Sequence, residues 1–219
     1  MQIGIDNSIC LDEQMPKLGM EKIRKQQLID ATLSCIEQHG LQGSTIMKIS
    51  KAAGVSSGII SHYFGGKFAL LKETTIYLLE QLRRDFLTEV KAQGELGDTF
   101  DARQYHYQRV MGIITANFSV AQRSNRAAIA WLSFWVQSMH SEELSQLQRV
   151  NNARLESNLR YSFKAILQPE YVDLAADMMA AQIDGQWLRC ALAQSGDERF
   201  AAAAKQCRNL LDNLISKYQ

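Results

Sequence analysis

The chain has 219 residues, of which 46% are hydrophobic and 21% charged, enough to bury one good core or a small domain joined to a larger one. No apolar run nears the roughly 18 residues that span a bilayer, and the opening MQIGIDNSICLDEQ lacks the basic start and apolar core of a secretory signal. The net charge of +1 hides an asymmetry: residues 15–72 carry eight basic against three acidic side chains, while residues 1–14 total −3 and residues 73–219 total −1. A basic N-terminal module suits a polyanion, although a solvated basic face has the same composition.

Residues 1–14 read as a loose tail or an upstream start, with Met15 of MPKLGMEKIRKQQ as the natural beginning. The first predicted helix carries Leu28, Ala31, Thr32, Cys35 and Ile36 at i, i+3, i+4 spacing and stops at His39-Gly40. STIMKISKAAG follows, with Ser44 or Thr45 as its N-cap and Gly54 as its stop. The third helix begins near Ser56, its expected cap, and closes on Gly65-Gly66. Lys67 starts a fourth over 67–91, with Phe68, Leu71, Thr75, Leu78, Leu82 and Phe86 along one side. AQGELGDTFD (92–101) is the expected loop between parts, and five further helices follow at about 101–122, 125–140, 142–167, 170–194 and 197–216. Both prolines, Pro16 and Pro169, fall at boundaries, and no strand alternation competes. The expected fold is all-α.

Helix, Gly-Val-Ser turn, helix is the arrangement of a DNA-reading helix-turn-helix. Ala52 and Ala53 leave room for a close crossing, and Val55, Ile60 and Phe64 pin the second helix to the core. Ser56, Ser57, Gly58 and Ser61 lie at its leading end, where small side chains let the backbone approach base edges and hydroxyls donate or accept. His62 and Tyr63 reach toward phosphates at the far end. Lys67 offers an ammonium and free backbone N–H groups at the next helix start, and Thr45, Lys48 and Lys51 add backbone contacts. A three-helix scaffold without a DNA role is the alternative, but the turn, the spacing, the aromatic end and the following lysine all agree with DNA.

In the C-terminal part, AIAWLSFWVQSMH places Trp131 and Trp135 four residues apart on one helix face. IDGQWLRC places Asp184 three residues before Trp187, on nearly the same side of its helix. Tryptophan faces flanked by a carboxylate suit a quaternary ammonium, which has no hydrogen to donate and is held by cation–π attraction. Tyr105 and Tyr107, around His106, are weaker candidates, while Phe118 and Met139 read as core. The competing readings are that the tryptophans are packing and that Asp184 pairs with Arg126 or Arg189. The four histidines and the four scattered cysteines (Cys10, Cys35, Cys190, Cys207) show no metal-ligand spacing and no C-x-x-C. The cysteine usage fits a reducing cytoplasm, no cofactor is implied, and no nucleophile elbow or phosphate loop points to an enzyme.

Residues 45–71, TIMKISKAAGVSSGIISHYFGGKFALL, resemble the DNA-binding segment of TetR-type bacterial repressors. One departure is Ser61, where that family often has tyrosine. MPKLGMEKIRKQQLIDATL, AWLSFWVQSMH and IDGQWLRCAL are further similar to the choline-responsive members that repress glycine betaine synthesis genes. The resemblance implies a DNA-binding domain over 15–66 and a ligand-binding and dimerisation domain over 67–219, with helix 67–91 joining them. It also implies a homodimer on an inverted-repeat operator, choline as inducer, and no membrane association. The last two helices carry small and aliphatic residues that suit a dimer seam or burial within one subunit: Val172, Leu174, Ala175, Met178, Met179 and Ile183, then Phe200, Ala201, Ala204, Cys207, Leu210, Leu211 and Leu214. A TetR-type repressor of another cation, or an all-α carrier or enzyme, stays open from the sequence.

Overall fold

The computed structural model describes residues 17–92, 101–194 and 196–219. The expected tail or start at residues 1–14 and most of the loop expected over 92–101 lie outside these. Among the described residues every regular element is helical: α1 (Lys17–Gly43), α2 (Ile46–Ala52), α3 (Gly58–Phe64), α4 (Lys67–Ala92), α5 (Ala102–Asn117), α6 (Val120–Arg123), α7 (Asn125–Ser138), α8 (Glu142–Phe163), α9 (Val172–Leu192) and α10 (Asp197–Tyr218). A short 3₁₀ turn, Pro169–Tyr171, leads into α9.

α1 to α3 pack on one another, and Leu28, Ile49 and Ile60 meet Leu70 of α4 in a fully buried nucleus. α1 bends at Gly40, which has φ 66°, where the sequence placed the end of that helix. The Thr45 hydroxyl caps α2 by accepting from the Lys48 N–H at 3.3 Å. Between α2 and α3 the chain reverses at Gly54, whose φ of 66° lies in the left-handed region that side chains disfavour. The Val55 N–H returns to the Ser50 carbonyl at 3.0 Å and locks that turn.

α4 runs from this module into the C-terminal bundle, lying along both α1 and α5. Its buried residues are Leu70, Thr74, Thr75, Leu78 and Leu79. Phe68, expected on the inner face, is exposed, because the core-facing stripe is rotated by about two residues at that end. α8 packs on α9, and α9 on α10, completing the bundle.

The expected helix 101–122 is interrupted. Its stop is Phe118, and Ser119 adopts an extended conformation (ψ 160°) whose hydroxyl accepts from the Gln122 N–H and donates to Asp85 at 2.8 Å. Ser124, also extended, ends the four-residue α6 and caps α7 by accepting from the Ala127 N–H. Two serines thus cut a long helical pattern into a corner, as their preference for caps over helix interiors allows. Met139, expected in the core, is 81% exposed just past the end of α7, whereas Phe118 is buried as expected.

A methyl group added at Gly54 meets nothing within 4 Å, so Gly54→Ala isolates the backbone cost of the turn. Urea unfolding of that variant should show a loss of about 1 kcal/mol with an unchanged m-value.

Candidate functional site

The α2–α3 face is open. Thr45, Lys48, Lys51, Ser56, Ser57, Gly58, Ser61 and His62 are all exposed, while Tyr63 and Lys67 are half-buried. The helix start differs from expectation by one residue: Ser57, not Ser56, occupies the N-cap of α3, and its hydroxyl makes no capping bond. That leaves the hydroxyl available for an outside partner. Tyr63 packs on the core and meets the His62 ring edge-on at 4.9 Å. Lys67 stands at the first position of α4, with Nζ 3.5 Å from the Leu41 carbonyl oxygen. The residues selected from sequence therefore form one face: a small, hydroxyl-bearing helix start flanked by lysines.

The second site lies in the bundle. Trp131, Trp135, Asp184 and Trp187 line one cavity of about 40 Å³. The rings of Trp135 and Trp187 meet edge to face, with centroids 5.5 Å apart and planes at 70°. Trp131 is only 5% exposed, and its indole N–H donates to Gln122 Oε1 at 2.9 Å. The indole N–H of Trp187 donates to the main-chain carbonyl of the same Gln122 at 3.2 Å. The cavity adjoins a second lobe of about 100 Å³, and the two share Leu82, Asn117, Asn151 and Asp184 as walls. The second lobe adds Arg83, Phe86 and Arg154.

Asp184 faces both lobes. Its side chain keeps accessible surface because the cavity is open there, but the surrounding protein strips most of its hydration and pushes its pKa up to about 6. No ion pair holds it among the described residues. Arg126, one expected structural partner, is bound instead to α1 through the Asp30 carbonyl, the Ser34 hydroxyl and Glu37. Arg189, the other, lines a separate cleft with Gln186 and Arg199. Asp184 is thus a cavity carboxylate without an ion-pair partner among the described residues.

Tyr105 is not part of this cluster. It sits in the first turn of α5 against His106, with ring centroids 5.1 Å apart, while α5 touches the cavity at Asn117, about 18 Å further along the helix. The helical rise, not side-chain chemistry, removes it. Tyr107 is also engaged elsewhere, donating to Asp212 of α10 at 2.9 Å. Sequence reasoning missed Gln122, Asn117, Gln148 and Asn151. Ser119 and Ser124, the cap residues bracketing Gln122, were the available signal.

Known proteins resemble both halves of the chain. Residues 28–74 match the bacterial regulatory proteins of the tetR family, and residues 106–216 match the BetI-type transcriptional repressor C-terminal family. The HTH-type transcriptional regulator BetI of Vibrio parahaemolyticus is 45% identical over 203 residues, covering 93% of this chain and 96% of that protein. A transcriptional regulator from Pseudomonas aeruginosa PAO1 has the same fold with a TM-score of 0.71 at 26% identity, covering 89% of this chain and 91% of that one. A transcriptional regulator from Saccharomonospora viridis, solved in complex with choline, has a TM-score of 0.67 at 16% identity, covering 89% and 96%. The chain belongs to the TetR family and is a ligand-responsive, DNA-binding repressor; regulators of this family act on DNA operators as dimers and are not enzymes. Within the family it is closely related to the BetI subfamily. Among the described residues no helix is long and apolar enough to cross a membrane.

Because burial raises the folded-state pKa of Asp184, its ionised form destabilises the ligand-free protein above about pH 6 and its neutral form does not. Asp184→Asn should therefore melt at a higher temperature than the wild type at pH 7.5, with the difference vanishing near pH 4. Thermal scans across that range check it.

Proposed function

We propose that the chain represses genes of choline uptake and of choline conversion to glycine betaine, and that choline is its inducer. The observation that carries this reading is the shared cavity of the Trp135–Trp187 edge-to-face pair, Trp131 and the unpaired Asp184 carboxylate. A trimethylammonium group spreads its charge over methyl surfaces, which suit indole faces, each worth about 0.5–2 kcal/mol according to desolvation. Asp184 supplies the counter-charge. The relatives' BetI name and the choline bound by the Saccharomonospora viridis regulator support the same reading. A polyamine fits less well, since it needs several carboxylates and, among the described residues, Asp184 is the one acid on the cavity walls, which also carry Arg83 and Arg154.

Residues 15–66 are the DNA-binding unit of this proposal and 67–219 the effector and dimer unit. Ser57, Gly58 and Ser61 approach base edges from the major groove, with Ser56 beside them. Thr45, Lys48, Lys51, His62, Tyr63 and Lys67 hold phosphates. The outward-facing Leu174 and Met178, four residues apart on α9, give the dimer an apolar seam.

Two helices carry the signal. α4 lines the cavity through Leu82 and begins at Lys67 beside the DNA face. α7 carries Trp131 and Trp135 and lies along α1, tied there by Arg126 and by Asn125, whose amide donates to Glu37 at 3.3 Å. Choline among the tryptophans shifts the population toward a dimer whose recognition helices no longer match successive major grooves. A coupling of about 1–3 kcal/mol lowers operator affinity roughly 5- to 150-fold.

Calorimetry should register choline binding to the wild type and its loss in Trp135→Ala; a folded wild type that gives no heat with choline rejects the choline reading. Choline affinity should be level above about pH 7 and fall, approaching tenfold per unit, below about pH 6, as the Asp184 carboxylate takes up its proton. In operator titrations Arg126→Ala should bind choline nearly as well as the wild type but respond to it several-fold less. Lys51→Ala should reduce the slope of log affinity against log salt by about 0.9, the signature of one lost phosphate contact.

A further inference from the structure

The amide of Gln122 is the least expected member of the cavity. Its side chain is 4% exposed, yet it reaches the cavity wall. An amide keeps its shape when turned end for end, but here chemistry fixes its direction. An indole N–H only donates, so the bond from Trp131 Nε1 at 2.9 Å demands the oxygen of Gln122 at that end. The NH₂ end must then point away from Trp131, and among the described residues no hydrogen bond takes it up. The main-chain carbonyl of Gln122 is committed as well, accepting from Trp187. Two further groups of residues on the same wall are buried and unpartnered: the Trp135 indole N–H and the Gln148 side-chain oxygen. An apolar cavity wall holding unused N–H donors beside a carboxylate is matched by a ligand atom that both accepts and donates.

We propose that Gln122 is the specificity residue of the cavity, its NH₂ donating to an oxygen of the ligand, so that the protein selects an oxygen-bearing quaternary ammonium over an alkyl one. The proposal rests on the cation-binding reading above and deepens it. A hydroxyl two carbons from the quaternary nitrogen accepts from Gln122 and donates to Asp184 while the methyl groups lie against the indoles. A pure alkyl ammonium fills the same space and leaves the amide N–H groups without an acceptor. Sites built to hydrogen-bond a hydroxyl discriminate more strongly against its loss than apolar pockets do against an added group.

The test is a set of calorimetric titrations of the full chain with choline and with n-propyltrimethylammonium, in which a methyl group replaces the hydroxyl. The wild type should prefer choline by at least about tenfold, equivalent to ~1.4 kcal/mol. Gln122→Glu keeps an oxygen for Trp131 and replaces the NH₂ by an oxygen that cannot donate. It keeps the hydroxyl's bond to Asp184 and so retains part of the preference for choline, but it has no donor for a ligand oxygen: it should bind the methyl ether of choline within about twofold of n-butyltrimethylammonium. A second comparison needs no variant: the methyl ether of choline, which only accepts, should bind the wild type several-fold tighter than n-butyltrimethylammonium. Equal affinities within either wild-type pair overturn the role of Gln122 while leaving the aromatic cage intact. A several-fold preference for the ether over n-butyltrimethylammonium persisting in folded Gln122→Glu overturns it too. A folded wild type that binds neither cation overturns this proposal together with the reading on which it rests.

Discussion

The packing of α7 along α1 is the contact on which the rest depends. α7 is apolar on two sides: Trp131 and Trp135 face the cavity, while Ala127, Ala130 and Phe134 are buried in the shared core. Its first turn is fastened to α1 by Arg126, which bonds a main-chain carbonyl, a serine hydroxyl and a carboxylate of that helix at once. A guanidinium is suited to this, because its donors diverge in a fixed plane and hold position as well as charge. The helix that carries two tryptophans of the cavity and the helix that frames the DNA-facing module therefore have a common boundary. Close-packed boundaries of this kind shift between discrete arrangements and do not deform smoothly.

The cavity illustrates how a binding protein keeps groups it would be more stable without. Asp184 lies where desolvation opposes its charge, and among the described residues no ion pair relieves it. Gln122 holds two indoles with its two carbonyls and retains an amide end with nothing to bond. Both features weaken the empty protein, and both become favourable when a complementary group enters. The second lobe, with its arginines, bounds the same space with the opposite charge, so the cavity is polarised along its length.

Much of this was legible in the sequence, for physical reasons that can be named. Helical periodicity without proline in the interiors announced the all-α fold, and Gly54 with its flanking alanines announced the turn between α2 and α3. Trp131 with Trp135, and Asp184 with Trp187, were found because each pair sits on one helix and local spacing decides its common side. The meeting of the two pairs depends on how α7 and α9 pack, which no local pattern encodes. Tyr105 was misplaced for the same reason: its helix touches the cavity, but a dozen residues downstream. Gln122 went unseen because a polar residue in an apparently continuous helix looks like surface, and the break at Ser119 turns it inward. Phe68 shows the converse, an apolar residue on the expected stripe that lies outside because the buried stripe of α4 runs through Leu70 and Thr74.

α9 serves two surfaces at once. Ile183, Asp184 and Trp187 look into the cavity, and Leu174 and Met178, a few turns earlier on the same rod, look outward from the bundle. A helix is stiff over that length, so a small rotation about its axis or slide along it moves both surfaces together. In a family whose members act as dimers, a rod that met both effector and partner subunit would tie effector occupancy to subunit association by thermodynamic reciprocity. The cell's stock of repressor would then become a variable in the response: the same effector level would be read differently by a scarce protein and by an abundant one.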